Sequence, residues 1–315
     1  MRTDMKAVRY ERYGSSEVLR IEQAERPAPG AGQVLVKVAG TTFNPVDATI
    51  REGYLKEVFP LELPHVPGID VAGTVAETGD DVEGFAVGDA VIGFLPMNAP
   101  GAAAEYVLAP AAVLAAAPKT ADPADAAALP SVALTAWEAL FEYAGLAAGT
   151  GRSVLVNGAS GAVGGYAVQL AARAGAVVTA TSSPPHADRV RGYGAARIVD
   201  HTATTLAEAG VGTFDAVLNL VTTSPAETAE LVGLVADGGV LVSTTVDAVP
   251  DPARAVRTAR VFARSDANLL AELVALVDSG DLHIHIADRR PLADLPAVHA
   301  AAAEGRLPGK TVITV

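Results

Sequence analysis

The stretch SVLVNGASGAVGGYAVQLAARAGA, residues 153–176, joins a short apolar strand, a glycine-rich turn and an amphipathic helix without a spare residue. Few folds accept that succession. Val154, Leu155 and Val156 make the apolar run of a strand buried on both faces. Gly158, Gly161 and Gly164 then let the backbone turn sharply, come close to a ligand and pack the helix on the sheet. Residues 177–180 supply a second strand at the spacing of a βαβ unit, so the helix N-terminus is predicted to face a phosphate. The turn departs from GxGxxG: Ala159 stands at the first glycine position, giving Ala159, Ser160, Gly161, Ala162, Val163 and Gly164. A tight turn and a packed helix alone would also use these glycines, but the strand–turn–helix–strand context favours a dinucleotide site.

Beyond the turn, strands are placed at ARIVDH, FDAVLNLV, GGVLVSTTV and RVFAR with helices between them, the alternation of a doubly wound parallel α/β sheet. Residues 1–119 read differently. MKAVRY, VLRIEQ, QVLVKVAG, GIDVAGTVAETG, DAVIGF and AAEYVLAP are short strands broken by Gly and Pro, an all-β pattern. From Asp122, an N-cap candidate before Pro123, helical spacing runs through Leu129, Ala133, Trp137 and Leu140. The last part of the chain offers a helix at NLLAELVALVDSGDL, a strand and turn at HIHIADRRPL, a helix at LPAVHAAAAEG and a closing strand at KTVITV that rejoins the first domain. The expected domains are therefore residues 1–119 with 265–315, and a Rossmann cofactor domain over 120–264.

Charge and cysteine usage narrow the function. Across 315 residues, 23 basic against 36 acidic side chains leave a formal charge of −13 with no basic tract, so a nucleic acid partner is excluded. No apolar run reaches about 20 residues, and the opening MRTDMKAVRYERYG lacks the apolar core of a signal peptide. A soluble cytoplasmic protein with no membrane partner is expected. The chain has no cysteine, which removes disulfides, thiolate catalysis and the usual ligands of structural zinc. His65 precedes VPGID, and His283 and His285 alternate on a predicted strand and share a face, but neither place shows a third ligand, so no metal is expected.

The glycine turn has company in NPVDATIREGY (44–54), VPGIDVAGTVAETGDDVEGFAVGDAVIGF (66–94), LPSVALTAWEAL (129–140) and GKTVITV (309–315). In this order the motifs resemble the medium-chain dehydrogenases/reductases, and in detail their zinc-free quinone oxidoreductase branch, which includes ζ-crystallin-like enzymes. The match covers nearly the whole chain. The resemblance implies a GroES-like β-rich catalytic domain built from both termini, a Rossmann domain between, an active site in the cleft, and homodimers or tetramers joined near GGVLVSTTV. We expect a homodimer. Where metal-dependent relatives have their first cysteine ligand, this chain has Asn44, and an amide is a poor zinc ligand.

An NAD-specific site usually ends its second strand with Asp or Glu, which accepts from the ribose 2′-hydroxyl. Here Thr181, Ser182 and Ser183 follow, and Arg189 or Arg191 on the next helix can offer positive charge, with Asp188 as a counterweight. Resemblance adds Tyr193 as a candidate for NADPH recognition. NADPH is the expected cofactor; an ordinary polar loop is the alternative reading of 181–183.

A nicotinamide site with no metal suits an acceptor already activated by conjugation, a quinone or an α,β-unsaturated carbonyl, whose developing oxyanion needs only hydrogen-bond donors. Asn44 can orient cofactor or substrate and Tyr54 can donate to the substrate oxygen. Asp47 and Arg51, at i and i+4, read as an ion pair bracing the loop. Resemblance points to Thr135 near the nicotinamide and to Asn219, Leu220 and Val221 after the fourth strand, although Asn219 also reads as a turn residue. Lys310 reads equally as a cofactor contact and as an exposed turn residue. Trp137 and Phe141 read as core. An enoyl-thioester or polyketide-pathway reductase and a non-catalytic nucleotide-binding relative stay open as alternatives.

Overall fold

The structure, a computed structural model, describes residues 4–315; the first three residues of the opening segment read above for a leader lie outside the described residues. Two compact units divide the chain, one holding residues up to Ser131 and from Arg264 to Val315, the other Val132–Ala263. Among the described residues no helix is long and apolar enough to cross a membrane.

The first unit begins with β1 (Asp4–Arg9) and β2 (Arg20–Glu25), an antiparallel pair, then β3 (Gln33–Thr42), α1 (Pro45–Arg51), β4 (Asp70–Thr78), β5 (Ala90–Phe94), β6 (Tyr106–Pro110) and β7 (Leu114–Ala116). Helix α2 (Pro130–Trp137) leads out of it. The predicted long helix is broken there. A 3₁₀ turn at Asp125–Ala128 precedes Pro130, whose missing N–H suits the start of a new helix, and a π-helical turn at Glu138–Tyr143 follows. Asp122 is not the N-cap of that turn: its Oδ1 accepts from Ala124 N at 2.9 Å, and Ala124, which has no capping side chain, precedes the 3₁₀ turn. The domain boundary expected at 119 moves to 131, because the backbone N–H of Ser131 donates to Asp70 of β4 at 2.8 Å and ties this segment to the first unit.

The second unit holds β8 (Ser153–Asn157), α3 (Ala162–Arg173), β9 (Val177–Thr181), α4 (Pro184–Gly192), β10 (Arg197–Val199), β11 (Phe214–Asn219), α5 (Pro225–Gly233), β12 (Val235–Ser243) and β13 (Arg257–Arg260). Its six strands lie in the order β10-β9-β8-β11-β12-β13, every pair parallel. This is the doubly wound order 3-2-1-4-5-6, which reverses between β8 and β11, where such sheets bind their ligands. Val154, Leu155 and Val156 are fully buried, as a central parallel strand requires. The strand expected over RVFAR sits earlier: β13 ends at Arg260 because its partner β12 ends at Ser243, in register with it.

The chain returns to the first unit through α6 (Ala267–Asp278), β14 (Asp288–Pro291), α7 (Leu295–Ala303) and β15 (Thr311–Thr314). Leu269, Leu270, Leu273, Val274 and Val277 form the buried stripe of α6, and Asp266 caps it by accepting from Leu269 N at 3.0 Å. The seven-stranded sheet runs β14-β15-β3-β4-β5-β7 with β6 on β3. His283 and His285 are not on a strand; β14 starts only at Asp288, so the shared face expected for the two rings does not form. Among the described residues, one apolar cluster of this unit gathers around Tyr10, Phe43, Leu295 and Ile313, and another around Val36, Val71, Val91 and Val107.

Candidate functional site

Register in the first unit creates a buried polar cluster. Strand β3 pairs with β4 so that Gly40 faces Ala72, and with β15 so that Thr42 faces Val312. Followed to the strand ends, these registers bring Asp70 beside Thr42 and Lys310 beside Asn44. Lys310 Nζ donates to Thr42 Oγ1 and Asn44 Oδ1, both at 2.8 Å, and lies 3.3 Å from Asp70 Oδ2. Thr42 Oγ1 donates to Asp70 Oδ2 at 2.6 Å, and Asn44 Nδ2 donates to Asp70 Oδ2 at 2.9 Å and to Thr42 Oγ1 at 3.2 Å. Ser131 Oγ donates to Asp70 Oδ2 at 2.9 Å. Burial pushes the Lys310 ammonium down from its ordinary value, against the pull of Asp70.

Two expectations change here. Lys310 is buried, not an exposed turn residue, and its three donors are taken up by Thr42, Asn44 and Asp70. The Asn44 amide is also engaged at both ends, its Oδ1 receiving Lys310 and its Nδ2 serving Asp70 and Thr42, so it holds the cluster together.

The NPVD turn starts α1 with a reciprocal cap. Asn44 N donates to Asp47 Oδ2 at 2.9 Å while Asp47 N donates to Asn44 O at 2.9 Å, and Pro45 occupies the first helical position. Asp47 Oδ1 also accepts from Gly68 N at 3.2 Å. Burial pushes the Asp47 carboxyl up to about 7, although both backbone donors favour its charged form. The expected Asp47–Arg51 ion pair is not made. Arg51 pairs with Glu52, donates to Gly14 O at 3.0 Å and meets His299 Nδ1 at 2.7 Å, because its long side chain turns into the core. His299 is held down at about 3 by burial and by that guanidinium. Tyr54 lies past the end of α1, 78 % exposed.

His65 forms a two-way backbone bridge with Tyr10 and is buried against its ring, the centroids 5.5 Å apart; burial lowers it to about 4. Among the described residues no three His, Cys, Asp or Glu side chains are grouped to hold a metal ion.

The glycine turn of the second unit closes as its sequence predicts. Gly158 has φ +92°, and a Cβ there would lie 2.6 Å from Val221 Cγ1. A Cβ on Gly164 would overlap the Gly158 carbonyl. Gly161 differs: its φ is −73° and a Cβ would meet only Gly158 O, at 3.3 Å. It caps α3, whose first-turn N–H groups, Ala162 and Val163 among them, have no acceptor within the helix. The turn therefore fits an anionic group, with a cradle at Gly161 that the protein's own packing does not require.

Around this turn the hydroxyls expected at the ribose separate. Thr181 is buried, accepting from Gly158 N and donating to Asn157 Oδ1, both at 2.9 Å, and Ser182 is buried with its hydroxyl on Ser183 O at 3.1 Å. Only Ser183, the N-cap of α4, is partly exposed. Arg189 Nη2 donates to Ser160 O at 3.1 Å and its guanidinium lies 5.8 Å from the centroid of the Tyr193 ring. Arg191 instead pairs with Asp188 at 2.6 Å on the outer face of α4. Ala159 is buried beneath the turn. Asn219 is buried at the end of β11, Leu220 is half-buried and Val221 exposed just beyond, and Thr135 is half-buried on α2. Sequence reading missed Thr42, Asp70, Ser131 and Asn157; for the first three, the carboxylate that opens β4 beside apolar Ile69 and Val71 was the available signal, because a buried charge must find partners.

Residues 30–119 match the alcohol dehydrogenase GroES-like domain and residues 193–313 the zinc-binding dehydrogenase domain. A chloroplastic quinone-oxidoreductase homolog of Spinacia oleracea is 38% identical over 201 residues, 62% of this chain and 61% of that one, so the chain spans less than two thirds of that relative's length. The 2-methylene-furan-3-one reductase of Solanum lycopersicum is 34% identical over 99% of this chain and 79% of its own. The quinone oxidoreductase from Coxiella burnetii superposes with a TM-score of 0.87 at 27% identity, covering 99% of this chain and 100% of that one. With a GroES-like domain, a parallel cofactor sheet and a full-length relative at this identity, the chain belongs to the medium-chain dehydrogenase/reductase family of nicotinamide-dinucleotide-dependent oxidoreductases, among its quinone oxidoreductase-like members.

Proposed function

We propose that this chain is an NADPH-dependent reductase of quinones or α,β-unsaturated carbonyl compounds that works without a metal. The observation that carries the reading is the cradle at Gly161, where the fold leaves room beside a helix N-terminus that it does not itself use. When bound, the nicotinamide supplies a hydride equivalent. The residues of the chain do the rest. Amides of the turn and first helical turn, Ser160 to Val163, oppose the diphosphate charge. Ser183, Arg189 and Tyr193 take the 2′-phosphate, and no carboxylate ends β9 to repel it. Thr135, Leu220 and Val221 border the nicotinamide.

The donor set supports metal independence: the chain has no thiolate, and the described residues form no three-ligand group. A conjugated acceptor suits such a site, since hydrogen-bond donors alone can stabilise charge growing on its oxygen. The names of the spinach and tomato relatives, a quinone oxidoreductase homolog and a furanone reductase, describe acceptors of this type. The exposed Tyr54 hydroxyl donates to that oxygen, while Asn44 and Lys310 keep the α1 entrance rigid. The partner is a small molecule, and the chain acts as a homodimer.

Following nicotinamide absorbance with NADPH and then NADH, against an ortho-quinone, a para-quinone, a simple enone and an enoyl thioester, tests the reading. Faster oxidation of NADPH by quinone or enone is expected. Oxidation by none of the acceptors, or by the thioester alone, would overturn it. Tyr54→Phe is expected to lower kcat, and sedimentation to give a dimer mass.

A further inference from the structure

Six hydrogen bonds in the second unit share one direction. Gly158 N donates to Thr181 Oγ1 (2.9 Å), Thr181 Oγ1 to Asn157 Oδ1 (2.9 Å), Asn157 Nδ2 to Asn219 Oδ1 (3.0 Å) and Asn219 Nδ2 to Thr223 Oγ1 (2.9 Å). Thr223 and Thr228 hydroxyls are 2.9 Å apart, and Thr228 Oγ1 donates to Ser224 O at 2.8 Å. Each hydroxyl has one proton. With the Thr228 proton on Ser224 O, Thr223 must donate to Thr228, so the whole chain points from the backbone N–H of the glycine turn to the carbonyl at the start of α5.

Thr181, Asn157 and Asn219 sit at the C-terminal ends of β9, β8 and β11, three adjacent strands at the switch point of the sheet, while Thr223 follows β11 and Thr228 lies on α5. Thr181 and Asn219 are buried, and their hydrogen-bonding groups on this path are used. Gly158 lies between β8 and α3, outside the ladder of either, and Thr181 Oγ1 is the acceptor that its N–H meets. Bonds aligned in one sense polarise one another, which stiffens the turn beyond what one bond would do.

We propose that Thr181 is a positioning residue for the dinucleotide and not a contact to its 2′-phosphate: through this chain it fixes the Gly158 turn, and so supports NADH and NADPH equally. Discrimination then falls to Ser183 and Arg189. The proposal rests on the dinucleotide reading of the turn.

The test measures dissociation constants of NADPH and NADH by nicotinamide fluorescence with the full chain. Thr181→Val strands both Gly158 N and Asn157 Oδ1, and is expected to weaken both nucleotides by roughly tenfold, their ratio unchanged. Thr181→Ser keeps the hydroxyl and is expected to restore both. Should the valine variant not fold, Thr223→Val breaks the chain at its far end, and a smaller but equal weakening is expected. Weakening confined to NADPH, no change in either nucleotide, or failure of serine to restore binding overturns the proposal. A wild-type protein that binds neither nucleotide overturns the dinucleotide reading and the proposal with it, a result the variants alone cannot produce.

Discussion

The cluster around Asp70 in the first unit and the chain from Gly158 in the second are both buried polar networks at strand ends, yet they are built on opposite principles. The first is charged and closed: Asp70, Lys310 and Asn44 satisfy one another with Thr42 and Ser131. The second is neutral and directional, and its head is the backbone of a turn beside an open cradle. A charged cluster whose members bond one another braces a fold. A directional neutral chain leaves the neighbouring amides free to receive a ligand. The difference separates a scaffold from a binding device.

The largest effect that would break this comparison is on stability. Asp70→Asn leaves the Lys310 ammonium buried without its countercharge, and a loss of about 3 kcal/mol or more is expected in urea denaturation. Adding Lys310→Met is expected to recover most of it. A loss below about 1 kcal/mol for the single variant would mean that the cluster is not closed.

Next comes pH. Asp47 sits near 7 in the fold against an ordinary 3.8, so its contribution is full at acid pH and fades as pH rises from about 4 to 7. His65 and His299, lowered to about 4 and about 3 from 6.5, do the reverse: theirs is full above 6.5 and lost as pH falls. Between pH 4 and 6.5 the two trends oppose. Asp47→Asn removes one of them, so stability of that variant is expected to rise more steeply with pH than that of the wild type in denaturant titrations at pH 5 and 6.5. Equal slopes would show that Asp47 does not titrate in this range.

Smaller effects sharpen the second network. Arg189→Ala is expected to raise the Kd of NADPH about tenfold more than that of NADH, through loss of a charge-assisted contact on top of its bond to Ser160 O, which serves both nucleotides. Its neighbour Arg191 is spent on Asp188 at the surface, so Arg191→Ala is expected to shift stability by less than about 0.5 kcal/mol and neither Kd. If Arg191→Ala weakens NADPH more than Arg189→Ala, the phosphate lies on the outer face of α4.

How much of this was legible in the sequence follows the same division. The glycine turn is local: strand, turn and helix lie within 24 residues, and each element formed where its residues placed it. The cluster is not local. Asp70, Ser131 and Lys310 meet through strand register and a returning terminus, which no periodicity in one segment encodes. Thr181 stands between the two cases. Its position at the end of β9 was legible, but the direction of its hydroxyl was set by Asn157 on the adjacent strand. Arg51 likewise lies at helical spacing from Asp47, yet turns away to Glu52 and His299, because burial offered it partners that spacing could not show.

Gly161 tests the central claim most directly. The fold itself requires glycine at 158 and 164, so changes there confound folding with binding, whereas a methyl at 161 meets only one carbonyl at 3.3 Å. Calorimetric titration of Gly161→Ala and Gly161→Val with NADPH, alongside thermal melts, is expected to show melting temperatures near that of the wild type and nucleotide binding that weakens progressively with side-chain size. Wild-type affinity in both variants would mean that no ligand approaches the turn there, and the account of this cradle as a dinucleotide site would be wrong.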